Sequence, residues 1–98
     1  MKAKLLVRQR VEMGDAAFAE LVIWQLPQAL KGSTHLFKYR LAYVAQGECV
    51  LRYDNEAGKG DHRHCLGAET DYAFSNPRTL AADFFQDIEK YRHEHPDH

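Results

Sequence analysis

The sequence is poor in cysteine and proline and carries almost no net charge, and each shortage excludes a class of protein. Its 98 residues contain two cysteines, Cys49 and Cys65, which form no CxxC motif and are too few for a disulfide-stapled secreted domain. No apolar run approaches the ~18 residues of a membrane-spanning helix. The N-terminal apolar stretch breaks at Arg8, too early for a signal peptide. We therefore expect a cytoplasmic protein without membrane contact.

The near-neutral total hides an uneven distribution of charge. Hydrophobic residues make up 45% and charged residues 28%, as in an ordinary globular protein, so we expect one domain over residues 1–98. Residues 1–45 hold seven Lys or Arg against three Asp or Glu, whereas residues 46–98 hold six against eleven. This split indicates either a nucleic-acid or partner contact on one side, or two differently solvated faces.

Alternating apolar and polar residues predict a mainly β chain. Residues 2–13 place Leu5 with the apolar parity and Lys4 with the charged parity, and Gly14-Asp15 follows as a turn. Residues 18–26 are apolar on both parities, which indicates a central strand. Residues 36–44 and 49–54 alternate most clearly and predict a hairpin around Gly47. Residues 62–66 and 72–74 are weaker candidates for short strands.

The register of that hairpin follows from its apolar pattern. A two-residue turn would mix apolar and charged faces, whereas an odd, three-residue loop centred on Gly47 keeps them separate. The odd loop pairs Leu41 with Tyr53, Tyr43 with Leu51, and Arg40 with Asp54.

The C-terminal segment has the signals of an amphipathic helix. Asn76 suits the N-cap and Pro77 the first helical position. An apolar stripe follows at helical spacing: Leu80, Phe84, Ile88 and Tyr91. The polar residues between them, including Asp83 and Asp87, are expected to face water, and the tail from His93 to His98 is expected to end the helix.

These elements predict an α+β fold, with an antiparallel meander of about four to five strands and one C-terminal helix packed on one face. The opposite face would then collect the cations of the strands. Six such residues share that predicted face: Lys4, Arg8, Arg10, Lys38, Arg40 and Arg52. The last five of these are candidate nucleic-acid contacts.

The loop and strand over residues 54–64 carry the densest chemistry. The candidate catalytic residues are Asp54, Lys59, Asp61, His62, Arg63 and His64. In extended backbone, His62 and His64 point to one side, and Asp61 and Arg63 to the other.

Three interpretations of this cluster remain open. The histidines are a general acid and base for phosphodiester cleavage, with Lys59 or Arg63 stabilising the phosphate charge. Alternatively, they bind a divalent metal together with Asp61 or Asp54. In the third interpretation the cluster is structural, with Asp54 paired to Arg40 and Asn55 shaping a turn. His35 is interpreted as an ordinary loop residue.

Several runs of residues resemble one protein family. They are Leu21–Trp24, Phe37–Val44, Tyr53–Glu56, the GKGDHRH run Gly58–His64, and the helix from Pro77 to Tyr91. Together they resemble the TumE family, whose members are described as toxin components of bacterial toxin–antitoxin modules. The resemblance covers nearly the whole chain.

The resemblance implies a toxin of a type II module, paired with an antitoxin that is typically a helix-turn-helix DNA-binding protein. It carries over no catalytic mechanism. Combined with the histidine cluster, it suggests a metal-independent endoribonuclease without a cofactor, acting on RNA. The alternative is a non-enzymatic module that binds nucleic acid or protein and associates with the helix-turn-helix partner. A homodimer is a further expectation.

Overall fold

The computed structural model describes residues 2–14 and 16–96, which form one six-stranded antiparallel sheet and one helix. The strands follow one another across the sheet in chain order, as a meander. Their bounds are β1 Lys4–Glu12, β2 Ala17–Gln25, β3 Phe37–Ala45, β4 Glu48–Glu56, β5 Gly60–Cys65 and β6 Ala68–Asp71, and the helix α1 is Pro77–Glu94. The α+β class, the meander and the C-terminal helix are confirmed. The expected four to five strands were too few.

The strand that the pattern did not predict is β6. Its four residues, Ala68–Asp71, are all exposed and show no apolar alternation. Backbone pairing with β5 holds β6 in place, with Cys65 opposite Ala68 and His62 opposite Asp71. A strand held by backbone pairing and polar side-chain contacts leaves no hydrophobic pattern in the sequence. The predicted piece at residues 72–74 lies just beyond it.

The hairpin between β3 and β4 has the predicted residue pairs, but a bulge rather than an odd-length loop sets its register. Leu41 pairs with Tyr53, Tyr43 with Leu51, and Arg40 with Asp54. The connecting loop is nevertheless the two residues Gln46-Gly47, both with positive φ as in a type I′ turn. A bulge at Val50 inserts one extra residue into β4 and restores the register that the apolar pattern requires. The prediction of a three-residue loop was therefore wrong.

A second bulge changes the faces of β1. The register shifts between Leu5 and Val7, so Lys4 lies opposite Gln25 and Leu5 opposite Trp24. Leu5 and Lys4 thus exchange the sides that simple alternation gave them, and Leu5 is 40% exposed. The prediction that Lys4 joins the other strand cations was wrong for this reason. Asp15 of the predicted turn lies outside the described residues.

The helix α1 packs as its sequence predicts. The Asn76 side chain accepts a hydrogen bond from the Thr79 N–H at 2.8 Å, and Pro77 starts the helix. The buried residues of the helix are Leu80, Phe84, Ile88 and Tyr91. They contact a sheet core whose larger members are Leu21, Ile23, Tyr39, Leu41, Tyr43, Leu51 and Tyr53. The helix continues through His93 to Glu94, beyond its expected end, and residues 97–98 lie outside the described range.

The sheet therefore has two unlike faces. The helix face packs against α1 and carries the core. The open face is the opposite one, and the register assigns to it Arg8, Arg10, Glu12, Phe18, Glu20, Val22, Trp24, Lys38, Arg40, Arg52, Asp54, His62, His64, Glu69 and Asp71. Every predicted nucleic-acid contact lies on this open face.

Candidate functional site

Strand β5 divides the predicted catalytic cluster between the two faces. His62 lies opposite Asp54 and His64 opposite Arg52, on the open face. Asp61 and Arg63 lie on the helix face, opposite Asn55 and Tyr53. The predicted alternation is present, but the sheet separates the two histidines from Asp61 and Arg63. Lys59 lies in the turn before β5, where its carbonyl oxygen meets the His62 ring.

On the helix face, Arg63 connects β5 to α1 through an ion pair with Asp87. Its Nε donates to Asp87 Oδ2 at 2.6 Å, and the Tyr53 hydroxyl donates to the same oxygen. The bond to Asp87 raises the pKa of Arg63, and burial followed by the same carboxylate raises the pKa of Tyr53. Asp87 therefore faces the sheet rather than water, contrary to the expectation from the helical pattern.

Asp83 repeats this arrangement one helical turn earlier. It accepts a hydrogen bond from the Tyr72 hydroxyl at 2.6 Å. Burial first, and then this carboxylate, raises the pKa of Tyr72. Two carboxylates that the pattern assigned to solvent thus connect α1 to the end of the sheet.

Asp61 anchors a second network on the helix face. Its Oδ1 accepts from the Tyr39 hydroxyl at 2.6 Å and from His35 Nε2 at 2.9 Å. His35 Nδ1 accepts the Phe37 N–H at 3.1 Å, so the ring proton lies on Nε2. The imidazole also stacks on Phe74, with 4.0 Å between ring centroids. Burial and then Asp61 raise the pKa of Tyr39.

His35 is the residue of this network that the sequence did not reveal. It lies 26 positions before Asp61, in the loop between β2 and β3. That loop meets the turn before β5, where the Gly58 N–H donates to the Lys31 carbonyl at 2.7 Å. No spacing rule connects two loops so far apart in sequence, so their contact follows only from the folded sheet.

Asn55 is a buried strand residue rather than the turn-former of the structural interpretation. It is 2% exposed. Its Oδ1 accepts from the Tyr39 N–H at 2.9 Å, and its Nδ2 donates to the Phe37 carbonyl at 2.7 Å. The side chain thereby continues the β3–β4 ladder beyond the last backbone pair, and both ends of the amide are satisfied.

The two histidines of the open face have different surroundings. His62 Nε2 lies 2.6 Å from the Lys59 carbonyl oxygen, which only accepts, so this nitrogen carries a proton. Its Nδ1 is inaccessible to solvent and lies 3.1 Å from Glu69 Oε1, without the alignment of a hydrogen bond. The His64 side chain is more open, 28% exposed against 17% for His62, and its Nε2 lies 3.8 Å from Asp54 Oδ1.

Arg52 lies beside His64 on the adjacent strand. Its Nε is 3.1 Å from Asp54 Oδ2 but forms no hydrogen bond within the described residues. Asp54 therefore pairs with Arg52, whereas the structural interpretation paired it with Arg40. Among the described residues, the buried side-chain nitrogens without a hydrogen-bond partner are on His62 and Arg52, and both belong to the open face. An unsatisfied buried group calls for an explanation, and a functional role is one of them.

The first three strands make the open face positive. Arg8 lies across β2 from Arg40, with Val22 between them. Lys38 and Arg40 flank a shallow depression of about 190 Å³ over Val22 and Trp24. Trp24 is partly exposed, and cations beside an accessible aromatic ring are the usual elements of a single-stranded nucleic-acid site.

The charge of the open face changes sign across the sheet. At the positive end, Arg10 already has partners on this face. Its Nε lies 2.9 Å from Glu12 Oε1, and its Cζ lies 3.7 Å from the centroid of the Phe18 ring. At the other end, β6 contributes Glu69 and Asp71. The histidines of β5 lie between the cations and these acids. The face is therefore polarised, rather than uniformly basic.

The residues available to a metal are also separated by the sheet. Asp61, one of the two carboxylates considered as a third ligand, lies on the helix face away from His62 and His64. Across residues 2–14 and 16–96, no group of three or more His, Cys, Asp or Glu side chains is arranged to hold a metal ion.

A six-stranded meander with one covering helix and one polarised open face defines a small α+β protein whose candidate site is a surface. A family model described as Toxin TumE matches residues 2–92, and the chain belongs to this toxin family. The resemblance found in the sequence is thus confirmed. Membership identifies a toxin component of a toxin–antitoxin module and implies an antitoxin partner. No curated protein and no solved structure matches the chain.

Among the residues that the structure describes, no helix is long and apolar enough to cross a membrane.

Proposed function

We propose that this toxin acts on RNA through its open face, as a small metal-independent endoribonuclease. One observation carries the proposal: the register aligns His62 and His64 with the strand cations on the face that α1 leaves uncovered. The antitoxin partner, in this proposal, is a helix-turn-helix DNA-binding protein.

The cationic half of the face supplies the affinity. Arg8, Lys38 and Arg40 contact phosphates, and a base stacks on Trp24 in the depression between them. Such binding is largely electrostatic, so it weakens as salt rises. The acids of β6 repel the RNA backbone and so favour one orientation of the strand across the sheet.

The reaction is an internal transfer of the phosphodiester. The ribose 2′-hydroxyl attacks phosphorus and loses its proton to a base, while the bond to the 5′-oxygen breaks and that oxygen takes a proton from an acid. The products are a 2′,3′-cyclic phosphate and a 5′-hydroxyl. Imidazole serves both steps because it exchanges protons near neutral pH.

His64 is the first candidate for this proton transfer, because it is the less restrained histidine. Arg52, its neighbour on β4, is placed to stabilise the charge that develops on the phosphate. His62 is the second group, and Glu69 must move for His62 Nδ1 to reach a substrate. Asp54 orients His64, and Asp61 and Arg63 stabilise the fold from the other face.

The second candidate function is binding without cleavage. The state of His62 favours it, since one ring nitrogen faces the Lys59 carbonyl and the other faces Glu69. In that case the toxin blocks an RNA or protein target through the same cations, and the histidines only shape the surface.

The test uses the purified chain with single-stranded RNA. The variant His64→Ala should lose about 100-fold or more of the cleavage rate, His62→Ala should lose less, and a chelator should have no effect. His93→Ala, an exposed histidine on α1, is the matched control and should cleave normally. Full cleavage by both His62→Ala and His64→Ala would show that the catalytic assignment is wrong. RNA binding without cleavage by the native chain would favour the second candidate.

A further inference from the structure

The first strand of the sheet has an uncovered edge. β1 ends the strand order, and no other element of the described chain packs along its outer side. It is nine residues long and mostly exposed, including Leu5 at 40% and Leu6 at 38%. The opposite edge, β6, has four residues and two acids. An uncovered strand of the length of β1 is able to pair with another chain through its backbone.

The two sides of this edge differ in chemistry. On the open face β1 presents the cations Arg8 and Arg10. On the helix face, Val7 forms one wall of a slot of about 350 Å³ between β1 and the first turns of α1. The buried residues Leu21 and Ile23 form the floor of the slot, and Phe85 its other wall.

The slot exists because α1 leans towards the middle of the sheet. The helix packs on β3 and β4 and leaves the start of β1 uncovered. In its last turn the helix reaches the residue that follows β1, where Arg92 donates to the Met13 carbonyl at 2.6 Å. A narrow apolar space therefore runs beside residues that already belong to an unpaired edge.

We propose that the antitoxin adds an extended segment to β1 as a seventh strand, with acidic and apolar residues in alternation. Its acidic side chains would lie beside Arg8 and Arg10, and its apolar side chains would cover the slot. Because successive residues of a strand point to opposite faces, one segment satisfies both requirements at once. One part of this proposal rests on the proposed function, namely that the added acids would neutralise the RNA-binding cations.

The charges distinguish this partner from a second copy of the chain. On the open face β1 presents two cations, Arg8 and Arg10, and one acid, Glu12, which already pairs with Arg10 of its own chain. Pairing β1 with β1 would therefore bring together more positive than negative charge, and like charges on neighbouring strands are destabilising. An acidic segment meets the same cations without that cost, so the edge is more complementary to a partner of opposite sign than to a second copy.

Amide hydrogen exchange on the complex with the cognate antitoxin tests the pairing directly. The outward amides of residues 7–12 should gain at least about tenfold protection when the antitoxin binds, while β6 should be unchanged. Equal exchange of β1 in the free and bound chain would overturn the proposal. So would concentration-dependent protection of β1 in the chain alone, which would indicate a second copy.

Two substitutions sharpen the test by calorimetry with the same antitoxin. Arg8→Glu should weaken binding about tenfold, because it places a like charge beside the acidic segment. The matched reversal Lys90→Glu, on an exposed part of α1, should leave the affinity unchanged. Gln9→Val extends the apolar wall of the slot and should tighten binding about two- to threefold. Unchanged or tighter binding by Arg8→Glu would contradict the proposal.

These readouts contain no RNA, so they stand or fall independently of the proposed function. If the free chain fails to bind RNA while β1 becomes protected, the proposed function is wrong and the strand addition holds. If the free chain binds RNA and the complex binds it equally well, the claim that the antitoxin neutralises the cations is wrong.

Discussion

Ionic side chains have closer partners on the helix face of the sheet around β5 than on its open face. On the helix face, Asp61 has two hydrogen-bond donors within 2.9 Å, and Arg63 meets Asp87 at 2.6 Å. On the open face, His64 lies 3.8 Å from Asp54, and Arg52 lies 3.1 Å from the same carboxylate without a hydrogen bond. Adjacent residues of one strand, such as Arg63 and His64, are thus tightly paired on the helix face and loosely held on the open face.

Exposure alone does not explain this difference, because Asp54 and His62 on the open face are as shielded as Asp61 on the helix face, with 16%, 17% and 18% of their side chains exposed. On the helix face, Asp61 and Arg63 have fixed hydrogen-bond partners, since a buried charge without a partner costs more than a paired one. On the open face, which no helix covers, Arg52 Nε and His64 lack such hydrogen bonds within the described residues and remain available to a ligand. Polar side chains beneath α1 therefore serve stability, and those on the open face are the candidates for function.

The largest expected effect compares one substitution on both faces. Phe84→Ala removes a fully buried ring beneath the helix and should lower the free energy of unfolding by about 3–5 kcal/mol. Phe18→Ala removes a partly exposed ring under Arg10 on the open face and should cost about 1–2 kcal/mol. Urea unfolding measures both. Equal losses would mean that the two faces contribute alike to stability.

A second comparison concerns the carboxylates of α1. Asp87→Asn removes the charge that Arg63 and Tyr53 share and should cost about 2 kcal/mol of unfolding free energy. The control is Glu89→Gln, an exposed residue of the same helix, which should change little. RNA binding should persist in both variants. A loss of RNA binding by folded Asp87→Asn would show that the helix face also contributes to the site.

The helix face should also determine the behaviour in alkali. Burial and hydrogen bonds to carboxylates raise the pKa of Tyr39, Tyr53 and Tyr72 above that of an unfolded tyrosine, which is about 10. Their contribution to stability is complete below pH ~10 and is lost at higher pH, because the unfolded chain then releases protons that the folded chain retains. Denaturant midpoints measured across this range should fall as pH rises.

The variant Tyr53→Phe isolates part of that effect. It cannot ionise at this position, so its stability should fall less steeply with pH than that of the native chain. An identical slope in the two proteins would mean that Tyr53 ionises as easily when folded as when unfolded.

The smallest expected effect concerns the open face. If Arg40 contacts one phosphate, Arg40→Gln should reduce the slope of log K against log salt by about 0.7. The fold should be unaffected, because Arg40 is exposed and forms no ion pair within residues 2–14 and 16–96. Lys90→Gln on the helix is the control and should keep the native slope. Equal slopes for Arg40→Gln and the native chain would remove Arg40 from the interface.

The sequence determined most of what depends on regular periodicity. The buried stripe from Leu80 to Tyr91 follows from helical spacing, and the separation of His62 from Arg63 follows from strand alternation. The pairs of the β3–β4 hairpin also follow, because burying one face selects one register. Each of these conclusions needs only local pattern.

The features that the sequence did not predict depend on structural details that leave no pattern in the neighbouring residues. The bulges at Leu6 and Val50 reverse the alternation, yet neither residue differs in type from a regular strand residue. The contact between His35 and Asp61 depends on how two loops pack. The inward orientation of Asp87 depends on a partner, Arg63, that reaches it from a different element.

The alternation of β5 also limits how this chain can diverge. A single-residue insertion or deletion within Gly60–Cys65 would move the residues beyond it to the other face, unless a bulge absorbed the change as one does at Val50 of β4. A change of two residues would keep the pair Asp61 and Arg63 towards the helix and the two histidines on the open face. The strand is therefore expected to change length by two residues, or by one residue only together with a bulge that interrupts its ladder.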